Sequence, residues 1–564
     1  RDPEMSRGLG DVYKRQVYSK ENVQCDIVKE WSIVMENKKT KIISIVAVVA
    51  LALTIITATY AYFNAQVGDP AAADIKINAN TVDTFTFSSG SEISFSINQD
   101  NFASGAGNQS GSTYASAMLT ANNKTNTATE HYYLYLNIED NTFTYSINES
   151  TPEIIMTITD NAGTEVTDIT GLTHTSVTDA NGTQVSGYDI TNKNGIITLF
   201  NNREITTTSS KEERWNIKVT FVNYDASQNA NAGKSMSAKV MIQKEVMPFH
   251  QTCNDNTLAC HTAKLYTGTQ GENSIYYHDA NLANGAGDNS YRFAGARDEV
   301  NNYLCFGSTQ SPCPADNLYR IIGVFDGRVK LIKSDYATSA LLVTDGDYNT
   351  STYSKSSVST YKGELTTINR YTWNYKNNTT INNGFGSNTW STSLLNKTNL
   401  NQNFITKVGA EWTAKIDETT WKVGGNAYDN IASKQAKTAY QNEIVKPAPG
   451  NYSTNGDTEY KAQIGLMYAS DYGFAAAPSA WTTDLKSYHI NSIPNSNWMY
   501  MGIDEWTISR FAEFYTGVLY VNASGRLCNG SSNDALAVRP VFNLTSSVNY
   551  ASGSGSATDP ILVN

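Results

Sequence analysis

The stretch Leu318–Lys333 reads LYRIIGVFDGRVKLIK and carries the clearest structural signal in the chain. Two apolar runs, 318–325 and 328–333, flank the dipeptide Asp326-Gly327. Asp-Gly between two such runs is the strongest short-range indicator of a β-hairpin. The stretch therefore predicts two antiparallel strands joined by a tight turn.

The sequence around this hairpin is typical of an α+β domain, which we assign to residues 263–564. Apolar residues recur at roughly helical spacing in the segment 391–408, which predicts one or two short helices capped by Ser391 or Ser393. Further strands are predicted at 419–423, 462–468, 498–502, 518–522 and 537–544. The tryptophans of this region are expected in its core and loop packing: Trp373, Trp390, Trp412, Trp421, Trp481, Trp498 and Trp506.

Residues 80–245 have a different pattern, in which apolar and polar residues alternate with a period of two. Many short runs of this kind, separated by Gly, Asn, Asp and Ser, predict an all-β sandwich of jelly-roll type. The predicted strands are 83–87, 92–97, 131–136, 142–147, 153–158, 195–200, 215–222 and 235–242. The loop 224–234 is expected to join two strands that pair. His131 and His174 have no other candidate metal ligands at a suitable spacing, so we expect both to be ordinary strand or surface residues.

The segment Met35–Ala65 has the composition of an export signal. Lysines at 38, 39 and 41 precede the uncharged run 42–57, and the small-residue pattern Thr59-Tyr60-Ala61 follows. The uncharged run is shorter than the roughly 20 residues of a spanning helix, although extension to residue 63 brings it within range. Residues 35–61 are therefore predicted to be one hydrophobic helix that serves as a signal peptide or membrane anchor.

Residues 1–34 are expected to be an artefactual or non-native leader. Met35 directly precedes the basic run, where a signal should begin, and GDVYKRQ (residues 10–16) resembles translated sequencing-adapter read-through. We exclude this leader from the fold, and Cys25 with it.

An exported chain is expected to use its cysteines in disulfides, because its compartment is oxidising. Cys253 and Cys260 lie in the predicted linker 246–262, beside His250 and His261. Cysteine and histidine side chains can also coordinate zinc, but the spacing of these cysteines is wider than the roughly two to four residues typical of a zinc knuckle. We expect a disulfide here and a second one between Cys305 and Cys313, which leaves Cys528 unpaired.

The junction ATYA-YFNA (residues 58–65) resembles the signal junction of the TasA/camelysin family of exported biofilm-matrix and cell-surface proteins of Gram-positive bacteria. The resemblance implies cleavage between Ala61 and Tyr62 and a β-sandwich as the mature domain. It also implies that residues 62–79, an N-terminal strand or linker, could be donated to a neighbouring copy, giving self-association by strand addition. The alternatives are an ordinary signal or anchor with chance aromatics, and a first strand that pairs within its own sheet.

Several phrases in residues 263–564 resemble uncharacterised surface-protein modules of Firmicutes. They are NLYRIIGVFDGRVKLIKSDYA, IGLMYASDYGFAAAPSAW, NWMYMGIDEWTISR, AVRPVFNL and SGSGSATDPILVN. The layout is similar to the C-type-lectin-like and formylglycine-generating-enzyme-like folds. The function of those modules is unknown, so the resemblance implies no catalytic residues.

Catalysis has one candidate group, Cys528 with Arg539 and His489, which are the residue types of a sortase-like transpeptidase. The flanks Leu527 and Asn529-Gly530 do not resemble a sortase nucleophile strand, and adjacent acids such as Asp504-Glu505 are usually solvated on a loop. We therefore expect that the protein is not an enzyme. The alternative is a secreted hydrolase or transpeptidase that acts through an unrecognised site in the C-terminal domain.

Calcium is the one cofactor that the sequence suggests. Asp345, Asp347 and Asn349 offer oxygen ligands at alternate positions, as hard cations require. The EF-hand glycine and closing glutamate are missing, since Ser356 stands at the twelfth position, so a polar turn is the plainer interpretation. No other cofactor is expected.

The net charge of the chain argues against nucleic acids as binding partners. The chain has a formal net charge of −11, and an acidic surface repels the phosphates of nucleic acids. We expect an extracellular or cell-surface protein, membrane-anchored only through residues 42–63 if the signal is not cleaved. The expected function is adhesion, ligand binding or self-assembly, with a cell-wall glycan, a host glycan or a protein as ligand. Loops rich in Tyr and Trp would suit such contacts, because flat rings give large area at low entropic cost.

Overall fold

The computed structural model describes residues 83–102, 105–122, 126–343, 354–374, 387–425, 428–447, 458–511 and 513–564. The chain divides into two compact units, with the boundary between Val246 and Met247. The leader, the export segment, the junction Ala61–Tyr62 and the segment 62–79 lie outside the described residues, as do the calcium candidates Asp345, Asp347 and Asn349. Within the described residues, we find no helix with the length and apolar character needed to cross a membrane.

The first unit consists of antiparallel strands. They are β1 Thr84–Ser89, β2 Ile93–Ser96, β3 Gln109–Thr120, β4 Ala128–Asn141, β5 Ile154–Thr159, β6 His174–Thr178, β7 Gln184–Asp189, β8 Gly195–Thr207, β9 Ser210–Phe221 and β10 Ser235–Gln243. Short 3₁₀ helices cover Gln99–Phe102 and Asn229–Asn231.

These strands form two sheets that enclose one core. One sheet has the order β1-β3-β9-β5-β7-β6 and the other β2-β10-β4-β8. Alternation decides which side chains enter the core: along β10 every second residue is buried, namely Met236, Ala238, Val240 and Ile242. Full burial of the larger ones, Met236, Val240 and Ile242, stabilises the fold by about 1.5–3 kcal/mol each. The sequence prediction of a β-rich first domain with sandwich-like sheets is confirmed.

Two predictions for this unit are wrong. The segment 142–147 is not a strand beyond the end of β4, because its backbone binds a side chain: the Glu153 carboxylate accepts hydrogen bonds from the amides of Ser146 (2.5 Å) and Ile147 (3.3 Å). The strands on either side of the loop 224–234 do not pair, since β9 and β10 belong to opposite sheets. The loop crosses between the two layers of the sandwich.

The second unit contains more strands, all short. They are β11 Ile275–His278, β12 Ser290–Phe293, β13 Tyr303–Cys305, β14 Leu318–Phe325, β15 Arg328–Lys333, β16 Ser354–Tyr361, β17 Glu364–Thr372, β18 Thr419–Lys422, β19 Glu459–Ala462, β20 Glu505–Arg510, β21 Gly517–Val521, β22 Leu527–Ser531, β23 Ala535–Leu536, β24 Val541–Asn543, β25 Tyr550–Ser552 and β26 Leu562–Val563. The principal sheet has the order β11-β12-β14-β15-β24, with β13 beside β14.

The helices of the second unit are also short. The α-helices are Phe249–Thr252, Leu258–Ala263, Ser339–Leu342, Ile405–Val408, Ala410–Thr413, Tyr428–Ile431, Ala436–Tyr440 and Ala469–Phe474. π-helices span Leu395–Phe404 and Gln441–Val445, and 3₁₀ helices span Glu272–Ser274, Ala315–Asn317, Trp390–Thr392, Pro478–Ala480, Leu485–Ser487 and Ile493–Ser496. Ser393 accepts a hydrogen bond from the Asn396 amide (3.2 Å), which places one of the two predicted caps at the start of the predicted helical segment.

The predicted hairpin is confirmed. β14 and β15 pair up to Phe325 and Arg328, and the turn residues Asp326 and Gly327 have φ values of 48° and 71°. Positive φ at both central positions is what a type I′ turn requires. The hairpin lies in the middle of the principal sheet, and most of its apolar side chains are buried.

Two strand predictions in this unit are wrong for the same reason. Residues 463–468 and 498–502 are buried apolar segments that form no continuous strand: Gly465 makes a single antiparallel bridge to Val541, and other polar groups bind side chains or loops. The Ile464 amide donates to the Asn401 side chain (2.9 Å), and the Trp498 indole donates to the Phe293 carbonyl (2.8 Å). An apolar run alone does not distinguish a strand from a buried loop.

The cysteines pair as the spacing predicts. Cys253 is bonded to Cys260, and Cys305 to Cys313, whereas Cys528 is a free thiol. Both rings are short loops of the second unit.

Candidate functional site

The first unit has a trough on the outer face of its six-stranded sheet, with a volume of about 530 Å³. This volume falls within the range of small-molecule sites, about 300–1,000 Å³. Hydroxyl and amide side chains make up most of the lining, together with one lysine and two aliphatic residues: Asn108, Ser112, Thr157, Thr159, Thr183, Gln184, Val185, Ser186, Asn216, Ile217, Lys218 and Thr220.

The β6–β7 hairpin forms the wall of this trough. β7 pairs with β5 at the far end of the hairpin, through Asp189. The tip of the hairpin reaches the residues next to β3 and β9: the Asn108 amide donates to Asp179 Oδ2 (2.8 Å), and the Ala180 amide donates to the Asn223 carbonyl (2.8 Å). Because the hairpin is held at both ends, the wall of the trough has a fixed position in the fold.

The floor presents polar groups that are free to bind a ligand. Ser112 and Thr157 flank Lys218 in one cross-strand row. Thr157 Oγ1 donates to the Ser186 carbonyl on the wall (2.5 Å). The side chains of Ser112, Asn216 and Lys218 are exposed and make no hydrogen bond to any residue that the structure describes. This arrangement can recognise a hydroxyl-rich molecule through many weak hydrogen bonds.

Sequence reasoning missed the trough. The alternating polar positions of β3, β5 and β9 indicate an exposed sheet face, but they do not show that a hairpin borders that face. Sequence reasoning instead favoured aromatic loops of the second unit. There Trp373, Trp390, Trp421, Trp481, Trp498 and Trp506 are at most 2% exposed, so these rings cannot meet a ligand.

The second unit contains a buried cluster of charges. The Lys330 ammonium lies 2.5 Å from Asp471 Oδ2, and Arg292 contacts both Asp288 (2.6 Å) and Asp471 (3.7 Å). Aromatic rings pack against the two cations, and the ring of Phe325 contacts both Arg292 and Lys330. Although burial alone would raise the pKa of Asp288, Arg292 and other donors hold that pKa at about 2. The cluster joins β12, β15 and the helix Ala469–Phe474 and is best explained as structural.

A third carboxyl beside this cluster is held in its neutral form. Burial raises the pKa of Glu443 to about 8, and its oxygens accept hydrogen bonds from Ser470 and Ser509. His278 is also fully buried, and burial with the nearby Arg292 holds its pKa well below the usual range. The imidazole Nδ1 accepts from the Ala286 amide (3.0 Å).

We expect Glu443→Gln to change the pH dependence of stability. The usual carboxyl value is 4.5, so between about pH 4.5 and 8 the folded protein holds a proton that the unfolded chain releases. Stability is therefore lost as the pH rises through this window. Urea midpoints at pH 5 and pH 8 should show that the wild type loses stability relative to Glu443→Gln. The exposed control Glu411→Gln should track the wild type, and parallel curves for Glu443→Gln would contradict the assignment.

The surroundings of the cysteine-based candidate, Cys528 with Arg539 and His489, do not favour a nucleophilic thiolate. Arg539 is bound to Glu505 through two contacts, Nε to Oε1 at 2.5 Å and Nη2 to Oε2 at 2.8 Å, so its guanidinium is already engaged. Burial raises the pKa of the Cys528 thiol, the opposite of what a nucleophilic thiolate needs. His489 is an exposed residue. The expectation that Asp504-Glu505 is solvated is wrong for Glu505, which is 2% exposed on β20.

The histidines have ordinary roles. His131 and His174 each lie beside a glutamate, Glu204 (3.5 Å) and Glu165 (2.9 Å). His250 contacts the Tyr291 hydroxyl (2.7 Å), and His261 stacks on Tyr550. Across the described residues, no group of three or more His, Cys, Asp and Glu side chains could hold a metal ion.

Comparison with known proteins finds no matching family model, no matching curated protein and no matching solved structure.

Proposed function

We propose that this protein is an exported cell-surface or biofilm-matrix protein that acts by adhesion, with the trough of the first unit as its glycan-binding site. The observation that carries the proposal is the trough itself, which is bordered by a hairpin and lined mainly by hydroxyl and amide side chains; those of Ser112 and Asn216 have no hydrogen-bond partner among the described residues. Sugars present hydroxyl groups in all directions, and hydrogen bonds from Ser, Thr, Asn and Gln match them. The signal-like segment Met35–Ala65 supplies the route out of the cell.

The finer domain types belong to the same proposal. The first unit is a jelly-roll-like sandwich and the second a C-type-lectin-like domain. The second assignment is supported by the closeness of its two chain ends: Thr257 bridges to Asn549, and Leu304 to Ile561.

A bulky side chain on the floor should weaken glycan binding. Ser112 is exposed on the floor beside Lys218, so Ser112→Trp would fill the trough without disturbing the core. We expect the wild type to bind purified cell-wall polysaccharide or array glycans, and Ser112→Trp to lose at least about tenfold in affinity, which corresponds to about 1.4 kcal/mol.

The matched control is Ser94→Trp, the same change at an exposed position of β2 in the opposite sheet. Both variants should melt like the wild type. If the wild type binds a glycan and Ser112→Trp binds it equally well, the trough is not the site. If instead the protein hydrolyses or ligates the glycan, the adhesive function is wrong.

A further inference from the structure

The outer face of β9 carries two cations that no carboxylate of the described chain neutralises. Lys218 stands in the floor of the trough, and Arg214 projects from the same face four residues earlier, because side chains alternate along a strand. Neither forms an ion pair with a described residue. The cations nearby do: Arg203 and Lys211 both pair with Glu213. In a chain with a net charge of −11, two unpaired cations on one face form a local positive strip.

The surroundings of Arg214 hold it ready for a ligand. Its guanidinium carbon lies 3.6 Å from the centre of the Tyr114 ring, so the planar group rests on the ring. Tyr114 and Thr159 flank Asn216, which lies between the two cations. The next residue on this face, Glu212, accepts a hydrogen bond from Ser116 (2.5 Å) and ends the positive strip.

The spacing of the two cations suggests the shape of the ligand. Four residues of a strand span about 14 Å, since each adds about 3.4 Å. This is the spacing of the two Cα atoms along the strand, and two cations arranged in such a row favour an extended polymer with repeated anionic groups over one small anion. The hydroxyl and amide groups of Ser112, Thr157, Asn216 and Gln184 along the floor require that this polymer also offers hydroxyl groups.

We propose that the trough binds a linear, hydroxyl-rich polymer with repeated negative charges, lying along β9 with its anionic groups on Lys218 and Arg214. This inference rests on the proposed glycan-binding function and names the chemical class of the ligand. Carboxylates of a polyuronate and phosphodiesters of a polyol phosphate share this chemistry.

The test measures binding of the full chain to polygalacturonate, poly(glycerol phosphate), dextran and single-stranded DNA at low and high salt. We expect at least one of the two acidic polymers to bind at least about tenfold more tightly than dextran at low salt. This difference in affinity should become smaller at high salt, because salt screens the charges. The two acidic polymers distinguish carboxylate from phosphodiester recognition. Lys218→Gln and Arg214→Gln should each weaken that binding about tenfold, the size expected for one charge-assisted hydrogen bond.

Controls separate charge recognition from general effects. Lys218→Arg should retain binding, and Lys239→Gln, which removes a paired lysine from the opposite sheet, should leave it unchanged. If dextran binds as well as the acidic polymers and Lys218→Gln has no effect, the anionic ligand is wrong while glycan binding in the trough stands. Equal binding of DNA would show plain attraction of polyanions and overturn the inference. Failure of every polymer and every array glycan would overturn the proposed function itself.

Discussion

Asp471→Asn should lower the free energy of unfolding of the second unit by about 3–5 kcal/mol, the usual cost of breaking a buried ion pair. The carboxylate of Asp471 lies between Lys330 (2.5 Å) and Arg292 (3.7 Å), and all three side chains are at most 7% exposed. It also accepts a hydrogen bond from the Tyr468 amide (3.0 Å), which starts the helix Ala469–Phe474. An amide in its place leaves the Lys330 ammonium buried without a counter-charge.

Urea unfolding of the full chain measures this effect, with the tryptophan fluorescence of the second unit as the signal. Asp484→Asn is the matched control, since Asp484 stands at the start of a short helix but makes no capping bond with its side chain. The double variant Lys330→Met with Asp471→Leu removes both charges and should be less damaging than Asp471→Asn alone. A loss below about 1 kcal/mol for Asp471→Asn would show that the pair does not hold the core together.

Glu153→Ala should destabilise the first unit by about 4 kcal/mol or more, because several buried donors lose their acceptor at once. The carboxylate is 0% exposed. One oxygen accepts from the amides of Ser146 and Ile147, and the other from the side chains of Gln228 (2.7 Å) and Asn231 (2.8 Å). Glu153 thereby ties the segment after β4 to the loop that carries the chain from β9 to β10.

Thermal unfolding monitored by the β-sheet circular dichroism signal measures this loss. Glu149→Ala, an exposed glutamate four residues earlier in the same loop, should change the melting temperature little. Glu153→Gln keeps the shape and one acceptor oxygen, so it should fall between the wild type and Glu153→Ala. If Glu153→Ala melts like Glu149→Ala, the network around Glu153 contributes nothing to stability.

The buried carboxylates of Glu153 and Asp471 could not be predicted from the sequence. Glu153 and Asp471 are charged residues in polar or mixed segments, and such residues are normally exposed. Their burial depends on donors that lie far away in the sequence, such as Asn231 and Lys330. No local pattern indicates that these donors converge on them. The same holds for Glu505, which appears beside Asp504 as an ordinary acid and is instead paired with Arg539 inside the second unit.

Local patterns alone were sufficient for several features. The Asp326-Gly327 turn, the alternating strands β1, β2, β5 and β10, and the two short disulfide loops all follow from interactions between residues that are close in the sequence. Tertiary structure decided the rest: the assignment of β9 and β10 to opposite sheets, and the β6–β7 hairpin that turns a polar sheet face into a trough. The physical reason is that turn geometry and side-chain alternation act over a few residues, whereas sheet partners, buried charge pairs and cavity walls arise from contacts between distant segments.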